Sequence, residues 1–242
     1  MTMIIAIGVA AVLAAAAFIV ISMSQADQGG ATDTLYPQVE VSDDGTFSLV
    51  DGGEIEPGAV YQWRRTDGGF VIGNPNAPVT IVEFADFLCP ACQGYKPEID
   101  RFIREYVLTG QAQFEYRMIL TQQNSQVVAQ VAECAAEMYE GGFYPVYEEL
   151  FRIAQSRFVD ASVGRDIARS FDLDYAVMLE CMAEADQFTV DARLGQGQNP
   201  AISSTPTMRV RYGDGPLQVI GGIPSGGVPF DALAQAVLVA QF

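Results

Sequence analysis

Two cysteines, Cys89 and Cys92, stand three residues apart in the stretch FADFLCPAC (84–92). Thiols at that spacing suit three roles: a pair that cycles between dithiol and disulfide, half of a metal site, or two inert buried side chains. A zinc site needs two further soft ligands. Only Cys134 and Cys181 remain, far apart in the chain and without a second CxxC. The 242 residues contain no histidine. That absence removes Ser-His-Asp and Cys-His nucleophilic machinery and every His-ligated metal site. The chemistry of this chain must run on Cys, carboxylates, Tyr or backbone groups.

The redox reading has local physical support. Pro90 suits the first position of a helix, so Cys89 falls where unpaired backbone N–H groups and the helix dipole stabilise an anion. Cys92 then lies on the same face, one turn deeper. Cys89 is expected to be the attacking thiol and Cys92 the resolving one, which clears a mixed disulfide formed on Cys89.

These residues need elements to hold them. VTIVEF (79–84) is a nearly continuous apolar run of strand length, as expected for a strand buried on both faces. A helix follows Cys89 as far as Tyr106, and AQFEYRMIL (112–120) reads as the next strand. Strand, helix, strand at this spacing predicts a βαβ unit with a parallel pair. Four helical stretches come next: 125–140, 143–156, 160–171 and 174–187. ISSTPTMRVRYGDGPLQVIGG (202–222) reads as a hairpin with a Gly-Asp-Gly turn, and 228–242 as an amphipathic helix. Upstream, TFSLVDGGE predicts a short strand or hairpin, and 61–73 an edge strand broken at Asp67-Gly68-Gly69. The aromatic stripe in GGFYPVYEELF (141–151) is expected in the core. The Gly-rich VIGGIPSGG lacks the lysine of a phosphate-binding loop.

VEFADFLCPAC after a strand, a helical insertion, and then SSTPT opening the second half resembles the DsbA-like thioredoxin-fold family, in its membrane-anchored or secreted bacterial branch. The resemblance runs from about Gly73 to the C-terminus. It implies an α/β thioredoxin fold interrupted by a helical domain. The first half would span 73–120, the insertion 121–200 and the second half 201–242. It also implies that Thr205-Pro206 carries a cis-proline facing the active disulfide and presenting backbone to substrate. Glu83 matches the family's buried acidic position under the disulfide, with a raised pKa that suits proton exchange with Cys92. Its bland alternative is a strand carboxylate facing solvent. Asp86 is expected to be exposed and is given no catalytic role. The best-known DsbA enzymes carry His inside CxxC where this chain has Ala91, so a less acidic Cys89 and a weaker oxidant are expected here.

Cys134 and Cys181 fall in two different expected helices. In an exported protein such a leftover pair suggests a structural disulfide, with two separate buried thiols as the alternative.

The chain begins with an uncharged segment, and Met3 to Met23 is almost wholly apolar. That length of helix spans roughly 30 Å, the thickness of a bilayer core. Residues 1–26 are therefore expected to be a retained membrane anchor. A cleaved signal segment is the alternative, although the basic region and small-residue cleavage site it needs are missing. Residues 27–72 read as an acidic spacer. Net charge is −17, with 30 acidic against 13 basic side chains, which argues against a nucleic-acid partner.

Taken together, these features predict an extracytoplasmic thiol-disulfide oxidoreductase, in the periplasm or at the cell surface, that oxidises the dithiols of exported proteins. It needs no metal or organic cofactor. The resemblance implies reoxidation by a membrane quinone-linked thiol oxidase. The alternatives are a reductase or isomerase of the same fold and a non-catalytic binding or chaperone module.

Overall fold

In the computed structural model the described residues are 37–42, 47–49, 55–56 and 58–241. All of them lie in the compact unit 35–242. The expected anchor at 1–26 falls outside them. Among the described residues, no helix is long and apolar enough to cross a membrane.

Two short strands, β1 (Val39–Val41) and β2 (Phe47–Leu49), pair antiparallel and close over Trp63 and Val71. The expected edge strand at 61–73 is in fact two strands, β3 (Tyr61–Arg64) and β4 (Phe70–Gly73), folded into a hairpin through the turn Arg65–Gly68. Its second strand is interior to the main sheet, so this sheet begins before Gly73.

Strand β5 (Val79–Ala85) is buried at all seven positions, as its apolar run requires. Helix α1 (Pro90–Phe102) follows it, and its last turn widens into a π-helical turn over Ile103–Val107. Strand β6 (Gln113–Met118) returns parallel to β5, which completes the expected βαβ unit. The insertion comprises α2 (Ser125–Met138), α3 (Phe143–Ser156), α4 (Val163–Ser170), α5 (Tyr175–Glu184) and α6 (Gln187–Gln196). Four of these helices were expected. The fifth, α6, buries the polar Gln187 and Asp191 instead of an apolar stripe, so its sequence lacks the helical hydrophobic period. Strands β7 (Thr207–Tyr212) and β8 (Gln218–Val219) form the expected hairpin, and α7 (Phe230–Val239) closes the described chain.

The six-stranded sheet has the order β3-β4-β6-β5-β7-β8, with β5 at its centre between parallel β6 and antiparallel β7. Alternation along β5 sends Val79, Ile81 and Ala85 into the main core and Val82 and Phe84 to the other face. The main core is aromatic. Phe143, Tyr147 and Phe151, spaced one helical turn apart on α3, pack with Phe87 and Tyr116. The expected core stripe is thus the seam between sheet and insertion.

Candidate active site

The chain leaves β5 at Ala85 and turns through residues 86–88 into the N-terminus of α1. Cys89 occupies the cap position with extended dihedrals (φ −71°, ψ 120°), and Pro90 takes the first helical position. The main chain of Cys89 is bonded on both sides of this corner: its N–H donates to the Asp86 carbonyl (3.1 Å) and its carbonyl accepts from Gln93 N–H (3.0 Å). Neither Cys89 nor Cys92 is in a disulfide. Cys89 keeps 7% of its surface exposed and Cys92 none.

The second half of the fold reaches the same point through the sheet. Register pairs Phe84 of β5 with Thr207 of β7, which brings the residues just before Thr207 alongside the turn that carries Cys89. The Thr205–Pro206 bond is cis. The Cys89 Sγ donates to the Thr205 carbonyl at 3.5 Å. The structure therefore brings together Cys89, Cys92, Thr205 and Pro206, which the sequence separates by more than a hundred residues.

The two sulfurs sit in opposite electrostatic settings. Partial burial works against ionising Cys89. It is outweighed by hydrogen bonds from the Thr205 and Cys92 side chains and from the backbone at Ala91 and Cys92, so the Cys89 pKa falls below the ordinary thiol value. Burial pushes the Cys92 thiol far up, and the nearby Glu83 carboxyl raises it further. A group that ionises at the rim beside one that resists ionisation in the interior is a polarised pair.

Glu83 is not the solvent-facing carboxylate of the bland alternative. It is 1% exposed, and burial pushes its pKa up to about 8, opposed by the charge of Lys96 and reinforced by that of Asp100. Its Oε2 has no hydrogen-bond partner among the described residues, and neither do the Tyr116 and Tyr147 hydroxyls. Lys96, the only lysine in the chain, is buried over the Tyr147 ring (4.9 Å) and ion-paired to Glu148 (2.8 Å) and to Asp100. Sequence reasoning gave Lys96, Tyr116 and Tyr147 no role. Their signal was a single lysine one turn beyond Cys92 and tyrosines where an apolar core would take Phe.

Asp86 overturns its expectation of exposure. It is 4% exposed, and its carboxylate accepts five hydrogen bonds. Leu88 N–H donates to Oδ1 (2.9 Å). Thr121 N–H (2.7 Å), the Thr121 hydroxyl (2.7 Å), Gln122 N–H (3.2 Å) and the Ser125 hydroxyl (2.6 Å) donate to Oδ2. A carboxylate can be buried when it is this fully satisfied.

Cys134 of α2 and Cys181 of α5 are joined in a disulfide. The two thiols that a zinc reading would borrow are thereby bonded to each other. On the far face of β6, Arg117 is fully buried between Glu115 (2.6 Å), Asp191 (3.0 Å) and Asp67 (2.6 Å), and Arg211 pairs with Glu115 (2.6 Å). This network ties the sheet to α6 and to the β3–β4 turn.

A family model described as Thioredoxin matches residues 65–212. Disulfide bond formation protein D of Bacillus subtilis is 26% identical over 152 residues, covering 58% of this chain and 66% of that one. The Na(+)/H(+) antiporter NhaA 3 of Salinispora tropica is 30% identical over 159 residues, covering 63% of this chain and 23% of that protein. The chain thus spans just under two thirds of the first relative and about a quarter of the second. Among solved structures, alpha-DsbA1 of Wolbachia pipientis matches with a TM-score of 0.60 at 17% identity, over 74% of this chain and 97% of that one.

Proposed function

Because the chain belongs to the thioredoxin family, in its DsbA-like branch of thiol-disulfide oxidoreductases, we propose that Cys89 and Cys92 form a redox-active pair that oxidises reduced proteins outside the cytoplasm. The observation that carries this reading is the asymmetry of the two sulfurs: Cys89 is acidified at the rim and Cys92 is held protonated beneath it.

The chemistry runs as two thiol-disulfide exchanges. A substrate thiolate attacks Cys89 Sγ in the oxidised pair, a substrate–Cys89 bond forms, and the Cys89–Cys92 bond breaks with its electron pair left on Cys92. Cys92 cannot keep that charge in its buried setting and takes up a proton. Glu83, protonated over most of the neutral range at a pKa of about 8, is placed to supply it. A second substrate thiolate then attacks the substrate sulfur of the mixed disulfide and expels Cys89 as the better leaving group. The substrate loses two electrons and two protons and gains a disulfide, and the pair is left as a dithiol. Stabilising the Cys89 thiolate stabilises the reduced protein, which favours the oxidase direction.

Thr205 and Pro206 would present backbone to the substrate segment beside Cys89. Reduced exported proteins are the proposed substrates, and a membrane thiol oxidase that passes electrons to quinone is the proposed route of reoxidation. Turnover needs no group beyond the disulfide. The reading is tested with the oxidised protein and a reduced, unfolded protein substrate. Disulfide formation is expected with the native chain and is expected to vanish in Cys89→Ser. Equal rates in the two would overturn it.

A further inference from the structure

Asp86 has more to do than fill a turn. Its Oδ1 accepts from Leu88 N–H two residues on, the bond pattern of an Asx turn, while its own carbonyl accepts from Cys89 N–H. Its backbone also hydrogen-bonds the Cys92 sulfur. The same carboxylate reaches across to Oδ2 donors at Thr121, Gln122 and Ser125, where β6 gives way to α2 and the helical insertion begins. One side chain therefore grips the corner that carries Cys89 and the first turn of the insertion.

We propose that the Asp86 carboxylate is a positioning residue for Cys89, fastening the turn that presents this sulfur to the start of the helical insertion. The proposal rests on Cys89 being the attacking sulfur. The donors that acidify Cys89 come from Ala91, Cys92 and Thr205, none of which is among the groups that bond the Asp86 carboxylate. Asp86 acts by holding Cys89 within their reach. A shift of well under an ångström at the sulfur weakens each of those bonds, because hydrogen bonds fade steeply with distance and angle. The other titratable groups around the pair are Cys92 on α1, Glu83 on β5, Tyr116 on β6, and Lys96 and Tyr147 at the α1–α3 seam. They keep their identities in the variants that test the proposal.

Two mechanisms predict opposite signs for Asp86→Asn. Removing a negative charge near a thiol makes it more acidic if the carboxylate acts through charge. Loosening the turn makes it less acidic if the carboxylate acts by position. The measurement is the pH dependence of iodoacetamide alkylation at Cys89, followed in the Cys89 peptide by mass spectrometry, with circular dichroism as the check on folding. In Asp86→Asn the alkylation rate near pH 6 is expected to fall about tenfold, corresponding to a one-unit rise in thiol pKa. Thr121→Val and Ser125→Ala keep the carboxylate and remove one donor each. Both are expected to slow alkylation in the same direction, by roughly twofold. An unchanged or faster rate in folded Asp86→Asn overturns the proposal. If that variant does not fold, unchanged profiles in both single-donor variants overturn it. Alkylation is independent of oxidase turnover, so equal oxidase rates in Cys89→Ser and the native chain would sink the functional reading while leaving the alkylation result standing.

Discussion

Glu83 and Tyr116 stand opposite each other in the register of the parallel β5–β6 pair, and each ends in a buried oxygen without a hydrogen-bond partner among the described residues. An unsatisfied carboxyl oxygen in the interior beside the Cys89–Cys92 pair is costly to bury. Its linkage to pH follows from the direction of its shift. The folded pKa of about 8 lies above the ordinary carboxyl value, so between the two values the native chain binds the extra proton and the unfolded chain does not. The associated stability is fully present in acid and is lost as pH rises toward 8. Glu83→Gln should therefore match the native protein in urea unfolding near pH 4 and exceed it near pH 7, by no more than about 3 kcal/mol. The same variant should react more slowly with dithiols at neutral pH. A Glu83→Gln protein less stable than native at pH 7 would contradict this account.

The Cys134–Cys181 bridge closes a loop of 47 residues between α2 and α5. On the chain-entropy account such a loop contributes about 4 kcal/mol. The Cys134→Ser/Cys181→Ser double variant should lose that order of stability to guanidinium while keeping the alkylation profile of Cys89. A changed Cys89 profile with intact stability would assign the bridge a redox role instead.

Arg117 is wholly buried among three carboxylates. Its removal leaves Asp191 without its cation in the interior and Glu115 with Arg211 in its place, a loss of roughly 3–5 kcal/mol. Arg117→Ala should unfold at much lower denaturant. Arg117→Lys should recover only part of the loss, since one ammonium cannot span Asp67, Glu115 and Asp191 as the guanidinium fork does. Equal stability of native and Ala proteins would show the network to be energetically idle.

With 30 acidic against 13 basic side chains, the folded surface repels itself. Raising sodium chloride from about 0.1 to about 1 M shortens the Debye length from about 10 to about 3 Å. The melting temperature should rise over that range. A fall would mean that the ion pairs outweigh the repulsion.

The parts of this fold built on hydrophobic period and punctuation are visible in the sequence. VTIVEF reads as a buried strand because it is one, buried at every position, and Pro90 marks the start of α1. What could not be read rests on polar groups that the fold buries. The helix at Gln187–Gln196 is held by Gln187 and Asp191, whose partners are Arg117, Glu133 and Asp67 from other elements. Asp86 looks like a surface residue until Thr121 and Ser125 come round to meet it. Period-2 and period-3.6 patterns carry no trace of such long-range satisfaction, since a buried and an exposed Asp are spelled alike. The 61–73 hairpin supplies the expected edge strand in β3, but the interior place of β4 is hidden in the sequence for a related reason. Nothing local tells whether a strand pair ends a sheet or adds to it, and only the β4–β6 register answers that.

The reduction potential of the Cys89–Cys92 pair, measured by equilibration with glutathione buffers, tests the central claim most directly. The acidified Cys89 favours the reduced state, and Ala91 supplies no imidazolium to favour it further. The account predicts a value between about −200 and about −120 mV, on the oxidising side of the family. A value near −270 mV, where reductases operate, would contradict it.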